Sequence, residues 1–225
     1  MGPRRNRKRV RPRIKGRKLE RSKPFLNEGK TILIVCEDSK ASPDYFKKLR
    51  NEFHLGAVNV EVCGEQCGSA PISVVNFAED KKNEVTSTVR GDYDEIFCVV
   101  DVDEHPSLQD AIQKANANDI ELIISNPCFE YWHLLHFEKT SKAYTRRDAL
   151  YSQLKAHLKK KGFRGDIKNG CKFFEIVYPL RKTAIKNSKA VLNSHWHNEE
   201  DLSKCNPSTA VHRVVECIMD MANKT

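Results

Sequence analysis

Four apolar runs rich in β-branched residues alternate with amphipathic segments over the first half of the chain. The runs are TILIVC (31–36), VNVEVC (58–63), DEIFCVV (94–100) and IELIIS (120–125). Continuous apolar runs are typical of strands that are buried on both faces, as in parallel sheets. Because helical segments separate them, the order β-α-β-α-β-α-β predicts an α/β fold with a mostly parallel sheet and right-handed crossovers.

The segments between the strands carry signals for helix starts. Ser42 is a good N-cap, and Pro43 is a good first helical residue. A second helix is predicted to begin at Ile72. Ser107 and Asp110 resemble a capping box at the start of a third helix.

The pattern becomes helical after about residue 127. Leu150, Leu154 and Leu158 recur at a helical spacing, and Gly162 is a plausible C-terminal stop for that helix. A last helix is expected after the cap Ser208. Earlier in this part, Phe129, Trp132 and Leu135 are expected to be core residues. His133 and His136 are expected to be surface or core histidines rather than ligands. We therefore divide the chain into a basic tail (1–29), an α/β core (30–126) and a helical C-terminal part (127–225).

The net charge of +9 is concentrated in the N-terminal tail. Residues 1–23 hold 12 Lys and Arg residues and one acid, so the rest of the chain is slightly acidic. Such a segment has almost nothing to bury and is expected to be disordered. It attracts phosphate backbones without sequence preference, because binding releases condensed counterions. Nucleic acid is the favoured partner, and a merely solubilising arm is the alternative.

Hydropathy and cysteine usage indicate the compartment. No apolar run approaches the roughly 20 residues of a membrane-spanning helix, and the basic N-terminus lacks the apolar region of a secretory signal. Cys36, Cys98 and Cys217 lie inside apolar runs, where an unpaired thiol acts as a small hydrophobe. This usage is typical of a reducing cytosol, so we expect a cytoplasmic protein without membrane contact. Zinc is disfavoured because no second tight pair follows Cys63 and Cys67.

Acidic side chains follow two of the predicted strands. Glu37 follows the first strand, and Asp101 and Asp103 come at the end of the third. The carboxyl ends of parallel strands share one edge of a sheet, so these residues are expected to converge. Alternate residues of an extended segment point the same way, and sets of carboxylate oxygens favour Mg²⁺ or Mn²⁺. The alternative is an ordinary polar turn at a strand end.

Residues beside this constellation have two interpretations each. Glu104 is a solvated turn residue or an outer ligand, and His105 helps proton transfer or only forms an ion pair. Glu130, in the first turn of a predicted helix, complements the helix dipole or supplies a fourth carboxylate to a metal. Asn126 or Ser125 is expected to cap that helix, whose N-terminus faces the same edge and is suited to hold a phosphate.

Four segments carry a resemblance to a known family. They are ILIVCEDSKASPDYF (32–46), YDEIFCVVDVDEH (93–105), ISNPCFEYWHLLHFE (124–138) and NPSTAVHRVV (206–215). The arrangement resembles the Toprim fold of topoisomerases, primases and OLD-type nucleases, and most closely the RloB-like family encoded among bacterial restriction-modification and phage-defence genes. Asp38 departs from the Cys-Glu-Gly turn that is usual in that family.

The resemblance implies a divalent-metal-dependent nuclease that hydrolyses phosphodiester bonds of DNA or RNA in phage defence. By it, Glu37 is a metal ligand or general acid/base, and Asp101 and Asp103 are metal ligands. The alternative is a non-catalytic nucleic-acid-binding or adaptor subunit of a restriction-type complex. No RNA-recognition signature appears, so DNA and RNA, including tRNA, stay open as targets. A protein partner from a defence system is also expected.

Basic side chains are expected to hold the polyanion. Some lie in the tail and others in a Lys-rich region that is predicted to form a wall over the acidic edge; ordinary solvated faces are the alternative. The candidates are Arg4, Arg5, Arg7, Lys8, Arg9, Lys168, Lys172, Arg181 and Lys182.

Overall fold

One mixed sheet organises the molecule. The computed structural model describes residues 29–57, 59–86, 92–102, 107–165, 171–196 and 201–224. The sheet has the order β2-β1-β3-β4-β5, with β1 to β4 parallel and β5 antiparallel to β4. The strands are β1 (Ile32–Cys36), β2 (Val60–Cys63), β3 (Glu95–Asp101), β4 (Glu121–Asn126) and β5 (Ser208–Thr209). The predicted α/β class with a mostly parallel sheet is confirmed.

Helices cover both faces of this sheet. Those in the described ranges are α1 (Ala41–Glu52), α2 (Pro71–Thr86), α3 (Leu108–Ala117), α4 (Glu130–Leu134), α5 (Arg147–Lys160), α6 (Cys171–Val177), α7 (Arg181–His195) and α8 (Val211–Asn223). The predicted helical C-terminal part is therefore confirmed. None of the helices within the described residues is long and apolar enough to cross a membrane.

Alternate residues of the strands face two separate cores. Leu33 and Val35 of β1 pack with the apolar sides of α2 and α3. Ile32 and Ile34 of the same strand face the opposite way and join α1 and the C-terminal helices in a larger cluster. Every residue of β1 is buried. This agrees with the sequence of the run, which has no alternation of polar and apolar residues. The two cores hold the strand ends of β1 and β3 in a fixed position.

The helix starts differ from the predicted caps. Ser42 is inside α1 and not before it, and Pro43 is the third helical residue. The hydrogen-bond acceptor at the start of α1 is Asp38. Its carboxylate accepts the backbone N–H of Lys40 at 2.9 Å and that of Ser42 at 3.1 Å. A charged carboxylate is a stronger acceptor than a hydroxyl, so Asp38 takes this role. At α3, Ser107 makes no side-chain cap hydrogen bond.

The C-terminal part contributes a strand as well as helices. Ser208 was predicted to cap the last helix, but it lies in β5 and pairs with Asn126 of β4. The hydroxyl of Thr209 instead accepts the Val211 N–H at 3.3 Å. The prediction failed because Ser208 pairs with a strand that is distant in sequence, and the residues around 208 do not indicate this pairing. Gly162 does follow the end of α5, with a φ of +79° that suits glycine, so that stop is confirmed.

Candidate functional site

Glu37 reaches from the end of β1 toward β3. Its backbone N–H donates to the Val99 carbonyl at 3.0 Å, which extends the parallel ladder by one residue. Its Oε2 accepts the backbone N–H of Asp101 at 2.9 Å. A carboxylate that accepts a backbone N–H is oriented as well as stabilised. The two acidic residues, distant in sequence, therefore lie in direct contact at the carboxyl edge of the sheet.

Asp101 is the most heavily engaged carboxylate at this edge. Its Oδ1 accepts the backbone N–H of Phe129 at 2.8 Å, and its Oδ2 lies 3.2 Å from a terminal nitrogen of Arg147. The side chain is 20% exposed. One oxygen is thus held by the backbone before α4, and the other by the first residue of α5.

Negative charge accumulates around Asp101. Burial raises the pKa of the Asp101 carboxyl well above its ordinary value, and the charge of Glu130 raises it further. The Arg147 guanidinium opposes these effects, while Glu37 and Asp38 add to them. The effects of burial and of the acidic neighbours on the pKa exceed that of Arg147, as is usual where carboxylates share one site. A cation beside Asp101 therefore lowers the energy of the charged form.

Glu130 is the third acidic residue at this place. It is the first residue of α4, and only 5% of it is exposed. The Tyr151 hydroxyl of α5 donates to its Oε1. A buried carboxylate requires such a partner, because an unpaired one is costly to desolvate. The structure therefore brings Glu130 close to Asp101 and secures it from α5.

The corner after Glu37 is tightly packed. Asp38 is not among the described non-glycine residues with positive φ, so it forms this corner without that conformation. The Cys67 thiol donates to the Cys36 carbonyl at 2.9 Å and ties the loop after β2 to the end of β1. A Cβ on Gly64 would lie 2.5 Å from the Pro43 ring and 2.9 Å from the Asp38 carbonyl. Glycine is required there by close approach.

The residues after β4 serve the fold more than a ligand. The Ser125 hydroxyl lies 2.8 Å from that of Thr209, and the Asn126 side chain donates to the Ser203 carbonyl at 2.8 Å. Phe129 is the N-cap residue of α4, so neither Ser125 nor Asn126 caps that helix. The proposed phosphate position at the start of α4 is also not supported, because the Phe129 N–H is already bonded to Asp101 and α4 has only five residues.

Several predicted site residues lie outside the described residues. They are Asp103, Glu104, His105, Lys168 and the arginines and lysines of the tail, Arg4, Arg5, Arg7, Lys8 and Arg9. Their roles therefore stay predictions.

Among the remaining basic candidates, Arg181 and Lys182 have neighbours away from the acidic edge. Arg181 stacks on Tyr178, with its guanidinium carbon 4.2 Å from the ring centroid, and lies 5.6 Å from that of Phe53. Phe53 follows the end of α1 that is remote from Asp38. Lys182 lines a surface cavity together with Asp220 of α8. Lys172 is exposed on α6. Stacking on local aromatic rings sets the position of Arg181.

The aromatic and apolar residues in and beside α4 are core residues, as predicted, and the two histidines, for which surface and core were both open, lie in the core as well. Phe129, Trp132, His133, Leu135 and His136 are all buried. Burial lowers the pKa of His136 to about 4, and that of His133 also falls well below its ordinary value. Neutral imidazoles in an aromatic cluster have a structural role. They do not point to ligation.

A larger cavity of about 1040 Å³ lies at the opposite edge of the sheet. It is lined by residues at the amino ends of the strands, and their charges pair locally: Lys30 with Glu95 at 2.5 Å and Arg213 with Glu121 at 2.9 Å. Because these charges are already paired within the protein, a charged ligand would gain little by binding to them. We therefore place the candidate site at the carboxyl edge, where acidic groups outnumber their cationic partners.

Arg147 and Tyr151 belong to the site although sequence reasoning did not select them. They lie four residues apart on α5, and both face the acidic edge. The only sequence signal is the pair of arginines at a helix start, where a positive charge opposes the helix dipole. Nothing local identifies Asp101 and Glu130 as their partners.

The donor chemistry at this edge fits a hard divalent ion. Glu37 and Asp101 offer carboxylate oxygens, which Mg²⁺ and Mn²⁺ prefer, at a position of accumulated negative charge. Within the part of the chain that the structure describes, no group of three His, Cys, Asp or Glu side chains is arranged to hold a metal. Asp103, the third carboxylate predicted from the sequence, lies outside that part.

Comparison with known proteins places this arrangement in a family. The family model described as RloB-like protein matches residues 32–218, which include β1 to β5 and every acidic residue of the site. No curated protein and no solved structure matches the chain. Since the match covers most of the sequence, the chain belongs to the RloB-like family.

Proposed function

We propose that this protein is a divalent-metal-dependent nuclease with a Toprim-like core. The observation that carries the proposal is the contact between Glu37 at the end of β1 and Asp101 at the end of β3. The charge of Glu37 disfavours the charged form of the Asp101 carboxyl, and a divalent cation relieves such repulsion. The substrate is a phosphodiester of DNA or RNA.

Each acidic residue has a defined task in this proposal. Glu37, Asp101 and Asp103 hold Mg²⁺ or Mn²⁺, and Glu130 of α4 adds negative charge beside Asp101. When bound, the ion supplies Lewis-acid chemistry that favours attack of water on a phosphodiester. The backbone N–H groups of Asp101 and Phe129 keep the two carboxylates oriented. His105 is proposed to assist proton transfer.

The basic tail is proposed to hold the nucleic acid. Residues 1–23 carry 12 Lys and Arg residues, which suits sequence-independent contact with phosphates. Contacts of this kind position a polyanion and leave the choice of target to other groups. DNA, RNA and tRNA therefore remain candidate targets. A role in bacterial phage defence, in the cytoplasm and with a defence-system partner, is proposed on the resemblance to genes of that context.

A second candidate function is a non-catalytic nucleic-acid-binding or adaptor subunit. It is favoured by the ion pair between Asp101 and Arg147, which gives the acidic edge a cation of its own. In that case, the carboxylates order the edge and carry no chemistry.

A cleavage assay separates these two functions. The full chain is incubated with plasmid DNA, single-stranded DNA and tRNA in Mg²⁺, Mn²⁺ or EDTA. We expect metal-dependent cleavage that falls at least about 100-fold in Glu37→Gln and Asp101→Asn. Asp110→Asn, at an exposed acid of α3, is the matched control and should retain activity.

Binding measurements complete the test. Nucleic-acid binding by the wild type without cleavage of any substrate, even with neighbouring gene products added, would support the adaptor. Deletion of residues 1–23 is expected to weaken binding and flatten its dependence on salt. If the affinity is unchanged by the deletion, the tail has no part in binding.

A further inference from the structure

Arg147 occupies a position that a helix by itself does not favour. It is the first residue of α5, directly after the N-cap residue Arg146. Positive charge near a helix N-terminus is disfavoured by the partial positive charge of the unpaired N–H groups. The compensation comes from outside the helix, since a terminal nitrogen of Arg147 lies 3.2 Å from Oδ2 of Asp101.

The ion pair is suited to exchange. The Arg147 side chain is 42% exposed, whereas that of Asp101 is 20% exposed. Ion pairs that are partly exposed to water contribute little stability, because solvent screens both charges. A divalent ion carries twice the charge of a guanidinium and attracts the same carboxylate more strongly. Asp101 Oδ2 therefore has a resident cation that a metal can replace.

We propose that Arg147 is the exchangeable counter-ion of Asp101, displaced by the divalent metal and then used to bind a substrate phosphate. This inference rests on the proposed function, because it takes Asp101 as a metal ligand. Arg147 neutralises the acidic edge in the metal-free protein and so weakens metal binding by competition. Once released, its planar fork of donors remains at the site and matches the oxygens of a phosphate.

Tyr151 limits how far α5 moves in this exchange. It lies one turn after Arg147 and remains bonded to Glu130. Only the Arg147 side chain must therefore change position, and the helix stays in place. Arg147 is a phosphate-binding residue in this scheme and not a metal ligand.

Titration of the full chain with Mn²⁺ tests the competition. We expect Arg147→Gln to bind Mn²⁺ about fivefold more tightly than the wild type, which corresponds to the upper range for a partly exposed ion pair. Arg146→Gln removes the same charge from the neighbouring exposed residue and should change the affinity less than twofold. Arg147→Lys retains the charge and should remain near the wild type. Circular dichroism verifies that each variant is folded.

The outcomes separate this inference from the proposed function. If Arg147→Gln and the wild type bind Mn²⁺ equally, the competition is wrong while the metal site stands. If neither protein binds Mn²⁺, both the metal site and this inference are overturned.

Oligonucleotide binding tests the second half of the proposal. In Ca²⁺, Arg147→Gln and Arg147→Lys should bind a short single-stranded oligonucleotide several-fold more weakly than the wild type. In EDTA the same variants should match the wild type, because Arg147 is then engaged with Asp101. A loss of equal size in both conditions would overturn the proposed release of Arg147.

Discussion

At the residue scale, each carboxylate of the acidic edge has its own hydrogen-bond donor. Backbone N–H groups hold Glu37 and one oxygen of Asp101, whereas side chains of α5 hold the other oxygen and Glu130. Truncation of a side chain leaves the backbone donors in place, so the contacts from α5 are the ones that such substitutions test.

Tyr151→Phe tests the support of Glu130. The change removes the hydroxyl that donates to a buried carboxylate, so the free energy of unfolding should fall by about 1–3 kcal/mol. Tyr144→Phe is the matched control, since its hydroxyl donates to the neutral Gln153 at 2.8 Å and its loss should cost about 1 kcal/mol. Urea unfolding at pH 7 measures both. Equal losses would show that the charge on Glu130 is not what Tyr151 stabilises.

At the element scale, the end of β1 and the start of α1 form one unit. The Asp38 carboxylate accepts two backbone N–H groups of the helix start, and the loop at Gly64 packs against the same corner. The residue that follows a candidate metal ligand is therefore also the acceptor that begins the next helix. Strand end, corner and helix start must form together.

Asp38→Ala tests this coupling. Loss of the acceptor should destabilise the protein by about 1–2 kcal/mol, as for other helix caps. Asp44→Ala removes an exposed acid from the same first turn and should cost clearly less. Thermal unfolding followed by circular dichroism compares the two variants. The capping role is refuted if they unfold at the same temperature.

At the scale of the whole molecule, the C-terminal part completes the sheet and the site. It supplies β5 to the edge of β4, encloses the larger core, and carries Arg147 and Tyr151 to the acidic edge. The layer between α1 and α4 contains the neutral histidines His133 and His136 among aromatic rings. Their burial makes overall stability depend on pH.

Stability should decrease as the pH falls from about 7 toward 4. Burial lowers the pKa of His136 from 6.5 to about 4, so between these values the unfolded chain binds a proton that the folded chain does not. This difference favours unfolding by up to about 3 kcal/mol at the acid end. Urea midpoints across this range measure the dependence. It should be shallower in His136→Gln, and an identical slope in the variant would contradict the assignment.

Much of the fold was predictable because its signals are local. Apolar runs such as TILIVC identify strands, helical spacing identifies α5, and Gly162 identifies its end. The contact between Glu37 and Asp101 was also predictable, since parallel strands bring their carboxyl ends to one edge. The predicted cap at Ser42 was wrong because Asp38 accepts those hydrogen bonds, and the predicted cap at Ser208 was wrong because that residue pairs with β4.

The sequence alone therefore determined the order of strands and helices, the sheet edge that gathers the acidic residues, and the family. Only the tertiary structure decided that Arg147 and Tyr151 face Asp101 and Glu130, that Asp38 begins α1, and that residues 208–209 complete the sheet. The physical reason is the separation, along the sequence, of the residues that make these contacts. Periodicity and strand ends are properties of neighbouring residues, whereas these contacts depend on how separate segments pack, and packing is settled by the whole core at once.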